Sequence, residues 1–266
     1  MRFRSLVLVV AGLAATVVLP LAALDALHRH LAQVHMDHTG GVLNEPRMQL
    51  QLALFALSLV PVLGAATALA RWVRGMRALG LVTRAGAHAS YESLRYRVLT
   101  VPEPVFFTAG LIRGRVYASS GARTSLSAEA FRAALLHETA HQDHRDVLAR
   151  FLLHLCRGAY GWLPKTGAIF DAIALEIECR ADDAALAAGA SRKGLFEAIA
   201  AASASTRAGV SLASEGVTFR LERLAQVRTI TPRIDPRPLA GVVGVAFSIP
   251  VLAHAALILF CDLAML

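Results

Sequence analysis

Three apolar runs dominate the hydrophobic pattern of the chain, and each is long enough to cross a lipid bilayer. They extend from Ser5 to Leu24, from about Leu50 to Ala70, and from Leu239 to Leu266. Because a membrane-spanning helix needs about 20 apolar residues, we predict three transmembrane helices. The first run follows Arg2 and Arg4, as in a cleaved signal peptide, but it is long and no clear A-x-A cleavage site follows it.

Arginines beside the apolar runs predict the orientation of these helices. They precede the first run, follow the second and precede the third, at Arg2, Arg4, Arg71, Arg74, Arg77, Arg84, Arg233 and Arg237. Positive residues mark the cytoplasmic side of a membrane helix. We therefore expect a multi-pass protein of the cell membrane. Residues 1–70 would form two helices and an extracytoplasmic loop (25–47), residues 71–238 a cytoplasmic domain, and residues 239–266 a C-terminal helix.

The composition agrees with a membrane location and excludes two other classes. Apolar residues make up 56% of the chain, above the roughly 45–50% that is usual in soluble domains. The net charge is +8, but no basic stripe interleaves with aromatic residues, so we expect no direct binding to nucleic acid. The cysteines, Cys156, Cys179 and Cys261, are too widely spaced to predict a disulfide framework or a zinc ribbon.

Residues 71–238 carry a different pattern, in which short strand-like runs precede longer helical ones. The strand-like runs are Arg95–Val101, Val105–Thr108 and Arg115–Ser119. The helical runs are Ala128–Leu155, with Ser127 as its N-cap, then Ala168–Ala188, Lys193–Ser203 and Thr218–Val227. This order predicts an α+β domain with a small sheet.

The first predicted helix of this domain contains the sequence HETAH at residues 137–141, an H-E-x-x-H motif. Residues four apart project from the same face of a helix, so His137 and His141 can bind one metal ion. Zinc accepts such nitrogen ligands and keeps a position open for water, from which Glu138 can take a proton as general base. The alternative is a buried helix with ordinary histidines.

A zinc site of this kind needs a third protein ligand, and the next helix offers Glu176 and Glu178. Asp182 lies four positions after Glu178 and therefore on the same helix face. It could accept a hydrogen bond from a ligand histidine and fix its tautomer. The alternative is that these carboxylates form a solvated helix face.

HETAH followed by Arg145 and Asp146 resembles the H-E-x-x-H-x-x-x-R-D of two families of membrane metallopeptidases, M56 and M48. The sequence ECRAD at 178–182 is similar to their E-x-x-x-D motif, which supplies the third ligand. Only residues 142–177 separate the two motifs. That short separation resembles M56, the family of the β-lactam-sensing antibiotic receptors, since M48 enzymes usually insert more chain there. The resemblance covers roughly residues 95–227.

This resemblance implies a zincin-like metallopeptidase domain, with a small sheet packed on the H-E-x-x-H helix and one Zn²⁺ per chain. His137, His141 and Glu178 would bind the metal, Glu138 would be the catalytic base, and Asp182 would support a ligand histidine. The reaction would be hydrolysis of a peptide bond in a protein or peptide. A cytoplasmic transcriptional repressor, cleaved in signal transduction, is the candidate substrate, together with the protease itself. The strands at 105–119 could present an edge to an extended substrate.

The chain also departs from the antibiotic receptors. It has three predicted spans where they have four, and it stops at Leu266, so we expect no penicillin-binding sensor domain. Two alternatives stay open. One is an M48-like protease for quality control of membrane proteins, and the other is a membrane sensor or scaffold without catalytic activity.

Overall fold

A computed structural model describes residues 3–36, 46–205 and 211–226, and in this part of the chain it confirms an α+β fold. The helices are α1 (Phe3–Met36), α2 (Pro46–Arg84), α3 (Ser120–Ser125), α4 (Ala128–Asp143), α5 (Asp146–Tyr160), α6 (Thr166–Ala187), α7 (Arg192–Ser205) and α8 (Ser211–Ala225). The strands are β1 (Ala87–Tyr91), β2 (Leu94–Leu99), β3 (Phe106–Ala109) and β4 (Arg115–Ser119).

The described residues fall into two compact units. The first comprises residues 71–153 together with those from Phe170 onward. The second comprises the described residues up to Ala70 together with residues 154–169. Residues 154–169 lie within the segment 71–238 of the predicted cytoplasmic domain. These residues pack with the long apolar helices instead.

The first unit contains a mixed four-stranded sheet in the order β1-β2-β4-β3. β2 and β4 are parallel, whereas the β1–β2 and β3–β4 pairs are antiparallel. The three predicted strands are confirmed, while β1 was missed because its sequence, AHASY, has few strand-forming residues. In this order β3 lies at an edge of the sheet, with β4 as its described neighbour.

Helix α4 packs against the sheet through its first half. Ser127 caps the helix as predicted, because its side chain accepts a hydrogen bond from the N–H of Ala130. Phe131 is fully buried, with three aromatic rings of the sheet 5.3–5.7 Å from its own: Tyr91, Tyr96 and Phe106. Replacing such a residue with alanine costs about 3–5 kcal/mol, so this contact fixes α4 on the sheet.

Other positions of α4 face the later helices. Ala133 and Leu136 share a buried cluster with Leu195 and Ile199 of α7 and Leu224 of α8. The end of α6 was predicted correctly, since Gly189 has a φ of +91° and closes the helix. α8 begins at Ser211, earlier than the predicted Thr218.

The prediction of one helix from Ala128 to Leu155 is wrong. α4 ends at Asp143 and α5 begins at Asp146, because Arg145 adopts a left-handed conformation with a φ of 55°. His144 is the C-cap of α4, and its N–H donates to the carbonyl oxygen of Ala140. The break changes the direction of the chain immediately after the H-E-x-x-H motif.

Two helices are long and apolar enough to cross a membrane, Val9–Arg29 and Met48–Arg84, and the second unit contains the first of them and the second as far as Ala70. The predicted loop 25–47 is wrong in its first part, because α1 continues to Met36. No proline or glycine interrupts residues 25–36, and an ion pair between Asp25 and Arg29 (2.8 Å) supports the helix there. Residues 37–45 and the predicted span 239–266 lie outside the described residues.

Small residues and neutral hydrogen bonds hold the second unit together. Tyr160 donates a hydrogen bond to the carbonyl oxygen of Gly12 in α1 (2.9 Å), and Thr16 lies 3.1 Å from the same hydroxyl. Gly158 packs directly against the backbone of Gly64 in α2, where a Cβ on Gly158 would lie 2.6 Å from the Gly64 oxygen. Residues near the end of α5 thus contact both long helices.

Candidate metal centre

The two histidines of the H-E-x-x-H motif lie side by side on α4 and point their Nε2 atoms at each other. His137 and His141 are buried, with 8% and 6% of their surfaces exposed. Their Nε2 atoms are 3.0 Å apart, and their rings are nearly perpendicular. The helix spacing alone brings the side chains to one face, as the motif predicts.

Glu178 of α6 completes a group of three that could hold a metal ion. Its Oε2 atom lies 3.5 Å from Nε2 of His137, and its Oε1 atom lies 3.6 Å from Nε2 of His141. Metal–nitrogen bonds of about 2.0–2.1 Å in a tetrahedral site place neighbouring ligand atoms about 3.3 Å apart. The three separations therefore fit one tetrahedral divalent ion. The predicted grouping of His137, His141 and Glu178 is confirmed.

Each histidine has a buried carboxylate at its other ring nitrogen. Nδ1 of His141 lies 2.8 Å from Asp146, and Nδ1 of His137 lies 2.9 Å from Asp182. An ionised carboxylate can only accept hydrogen bonds, so Nδ1 of His141 carries the proton and its Nε2 keeps its lone pair. The nearby Asp182 favours the same tautomer in His137. This is the support that metal-binding histidines usually have. Asp182 occupies the position that the sequence predicted for it.

Burial and charge set the protonation of these groups. Burial lowers the pKa of His141, although the hydrogen bond from its ring to Asp146 acts in the opposite direction. A neutral imidazole is the form that binds a metal. Burial alone would raise the pKa of Asp182, but the contacts with His137 and Arg220 outweigh it, and the pKa falls well below its usual range.

Two arginines contact the carboxylates that support the ligand histidines. Arg220 of α8 donates to both oxygens of Asp182 (2.9 and 2.7 Å) and to Glu178 (2.7 Å). Arg180 of α6 contacts the second oxygen of Asp146. The buried negative charges are thus paired, and each carboxylate that supports a histidine is itself held in place.

Glu138 lies at the wall of a cleft of about 280 Å³ that also contains the three candidate ligands. The hydroxyl of Thr108 in β3 lies 2.8 Å from Oε2 of Glu138 and 2.8 Å from its backbone oxygen. The edge strand therefore fixes the carboxylate beside the metal ligands. Phe106, Phe107 and Val147 line the apolar part of the cleft.

Sequence reasoning missed several residues of this centre. Asp146 contacts His141 and Arg180, and the sequence analysis assigned it neither contact. No sequence motif indicated Thr108 or Arg220, because they reach the centre from a strand and from a helix that is distant in sequence. The R-D pair after the motif could have indicated Asp146, because a carboxylate close to a ligand histidine is a candidate partner for it.

Comparison with known protein families, with curated protein sequences and with solved structures finds no match for this chain. Its function is therefore inferred from the centre itself.

Proposed function

We propose that this protein is a membrane-embedded zinc endopeptidase. The observation that carries the proposal is the position of Glu138, which lines the same cleft as His137, His141 and Glu178. Two imidazoles and one carboxylate are a known ligand set of catalytic zinc sites, which also keep one position open for water or substrate. A carboxylate next to the ligands is what metal-assisted hydrolysis of a peptide bond requires in addition.

A bound zinc ion would polarise the peptide carbonyl and lower the pKa of a water molecule. The side chains of the protein would transfer the proton and hold the catalytic groups in position. Glu138 accepts a proton from the attacking water and returns it to the leaving amine. Thr108 holds the carboxylate in the position for that transfer, while Asp146 and Asp182 keep the two histidines oriented.

The substrate would bind as an extended peptide along β3. This strand is at the sheet edge, and Phe106, Phe107 and Thr108 line the cleft. Phe107 stacks on Tyr117 of β4 (5.1 Å between ring centres), which stiffens the edge. A peptide added to such an edge gains backbone hydrogen bonds independently of its sequence. Substitution of Phe107 by proline should weaken cleavage, and unchanged cleavage would contradict this binding mode.

The proposed biological role follows the M56 resemblance of the two motifs. The substrate would be a cytoplasmic repressor or the protease itself, and residues 71–238 would lie in the cytoplasm. Quality control of membrane proteins, as in M48 enzymes, is the second candidate. Reporter fusions after Arg84 and within residues 37–45 test the orientation, since a cytoplasmic Arg84 requires residues 37–45 to be outside.

The activity itself can be tested with the Glu138→Gln variant, which keeps the size of the side chain but cannot accept the proton. Purified wild-type protein and variant are incubated with zinc and with unfolded casein, and fragments of casein and of the protease are identified by mass spectrometry. We expect about 10²–10⁴-fold slower cleavage by the variant at an unchanged zinc content. Equal cleavage by both proteins would contradict the proposal.

A further inference from the structure

Three arginines surround the candidate metal centre, and they differ in what they face. Arg180 contacts Asp146, and Arg220 contacts Asp182 and Glu178, but neither arginine lines the cleft. Arg150 of α5 instead lines the cleft beside Glu138 and the ligand histidines. Its side chain is 49% exposed, whereas that of Arg220 is 12% exposed. Arg150 is therefore the arginine that a molecule in the cleft would meet.

Few donors in the cleft are left for a substrate. The hydroxyl of Thr108 lies at Glu138, and the Nδ1 atoms of the two histidines face carboxylates. Among the described residues that line the cleft, Arg150 is the one cationic side chain. It contacts Glu178 through one terminal nitrogen, Nη2. A guanidinium has five N–H donors, so Arg150 can contact Glu178 and still donate to a second group.

We propose that Arg150 is a catalytic residue that binds the anionic oxygen formed from the substrate carbonyl. This inference rests on the proposed peptidase function and assigns the group that stabilises its transition state. Hydrolysis of an amide needs such a donor, because negative charge develops on the carbonyl oxygen as water attacks. The guanidinium of arginine stays protonated and presents its donors in a fixed fork, which suits this role.

Hydrolysis moves one proton from the water to the leaving amine through Glu138. The water oxygen bonds to the carbonyl carbon as Glu138 takes its proton, and the electron pair of the carbonyl bond moves to the oxygen. Arg150 donates hydrogen bonds to that oxygen without transferring a proton. When the carbon–nitrogen bond breaks, the carbonyl reforms and the proton on Glu138 goes to the amine.

The test measures anion binding and does not depend on a known substrate. The detergent-purified protein is loaded with Co²⁺, whose visible absorption reports the number of bound ions and their surroundings. Inorganic phosphate, a tetrahedral anion, is then titrated into the wild type and into Arg150→Met, Arg150→Lys and Arg192→Met. Arg192 is an exposed arginine at the start of α7, outside the cleft, and serves as the matched control.

We expect one Co²⁺ per chain in all four proteins. Phosphate binding should weaken by at least about tenfold in Arg150→Met, less in Arg150→Lys, and not in Arg192→Met. With a cleaved substrate in hand, kcat should fall by about 10²–10³ in Arg150→Met while KM changes little. That pattern distinguishes binding of the anionic oxygen from general binding of the substrate.

Three results would overturn the assignment. Unchanged phosphate affinity in Arg150→Met, with Co²⁺ bound, would show that Arg150 does not bind anions in the cleft. Loss of Co²⁺ from a folded Arg150→Met would show that Arg150 positions Glu178 instead. Absence of Co²⁺ from the folded wild type would overturn the proposed function together with this inference, so the two failures are distinguishable.

Discussion

The two units of this protein bury polar groups in opposite ways. In the first unit two buried carboxylates are paired with arginines, Asp146 with Arg180 and Asp182 with Arg220. In the second unit, among its described residues, no buried side chain is charged. There the buried hydroxyls of Thr16, Tyr160 and Thr166 bond to backbone carbonyls.

The kind of polar group that each unit buries indicates the environment to which that unit is suited. Buried ion pairs are costly and often no more stabilising than apolar packing, so the network is best explained by the histidines that it orients, in a group that could hold a metal ion. Neutral side chains bonded to carbonyls, with small residues at close helix contacts, are typical of helices in a membrane. The first unit therefore supports the proposed metal site and the second supports the proposed membrane location. The following substitutions test each of them.

The largest effect is expected from the carboxylates that support the histidines. Asp146→Asn and Asp182→Asn keep the shape of the side chain but remove its charge. Each should weaken zinc binding by about 10–100-fold, because the histidine loses the acceptor that orients it. Competition with a chromophoric chelator measures the affinity. Asp183→Asn is the control, since Asp183 pairs with Arg223 and is about half exposed. Equal affinities in all variants would contradict the role of the two carboxylates.

A smaller effect, confined to stability, is expected in the second unit from Gly158→Ala. The added Cβ would lie 2.5 Å from that of Ala68 and 2.6 Å from the Gly64 oxygen, so the helices must separate. We expect a loss of about 1–3 kcal/mol in the free energy of unfolding, with zinc content unchanged.

The matched control for this substitution is Gly75→Ala in α2, where a Cβ meets nothing within 4 Å. It should stabilise the helix by about 0.5–1 kcal/mol, because glycine is a poor helix former. Thermal unfolding in detergent measures both variants. A shift in the same direction for both would contradict the close contact at Gly158.

The smallest effect is expected from Tyr160→Phe, which removes the hydrogen bond to Gly12 and leaves the ring in place. Such bonds between membrane helices contribute about 0.6 kcal/mol on average. Thermal unfolding should therefore show a small loss of stability. A loss of several kcal/mol would mean that the hydroxyl has a further role.

The helical spacing made part of the centre predictable from sequence. His137 and His141 are neighbours on any helix that contains them four apart. Spacing left Glu176 and Glu178 both open as the third ligand, and the resemblance of ECRAD to the third-ligand motif of the two metallopeptidase families favoured Glu178. The R-D pair made Asp146 a candidate partner for a ligand histidine, but its position depends on the left-handed Arg145 between two helices, and no glycine or proline marks that break. Arg220 lies 38 positions after Asp182, and only the tertiary fold brings them together.

Some features of the fold were also not predictable from the sequence, for similar physical reasons. Composition predicted the long helices but not their ends, since residues 25–36 are polar enough for a loop and still form a helix. Short strands are weakly specified by their own sequence, and β1 exists because β2 offers it a pairing edge.

The central claim is that His137, His141 and Glu178 bind one zinc ion. We would measure zinc per chain by mass spectrometry of metals in detergent-purified wild type, Glu178→Ala and Glu176→Ala, with circular dichroism to confirm folding. We predict about one zinc in the wild type and in Glu176→Ala, and much less in Glu178→Ala. A folded wild type without zinc, or a Glu178→Ala variant that retains it, would show that these three residues do not form a zinc site.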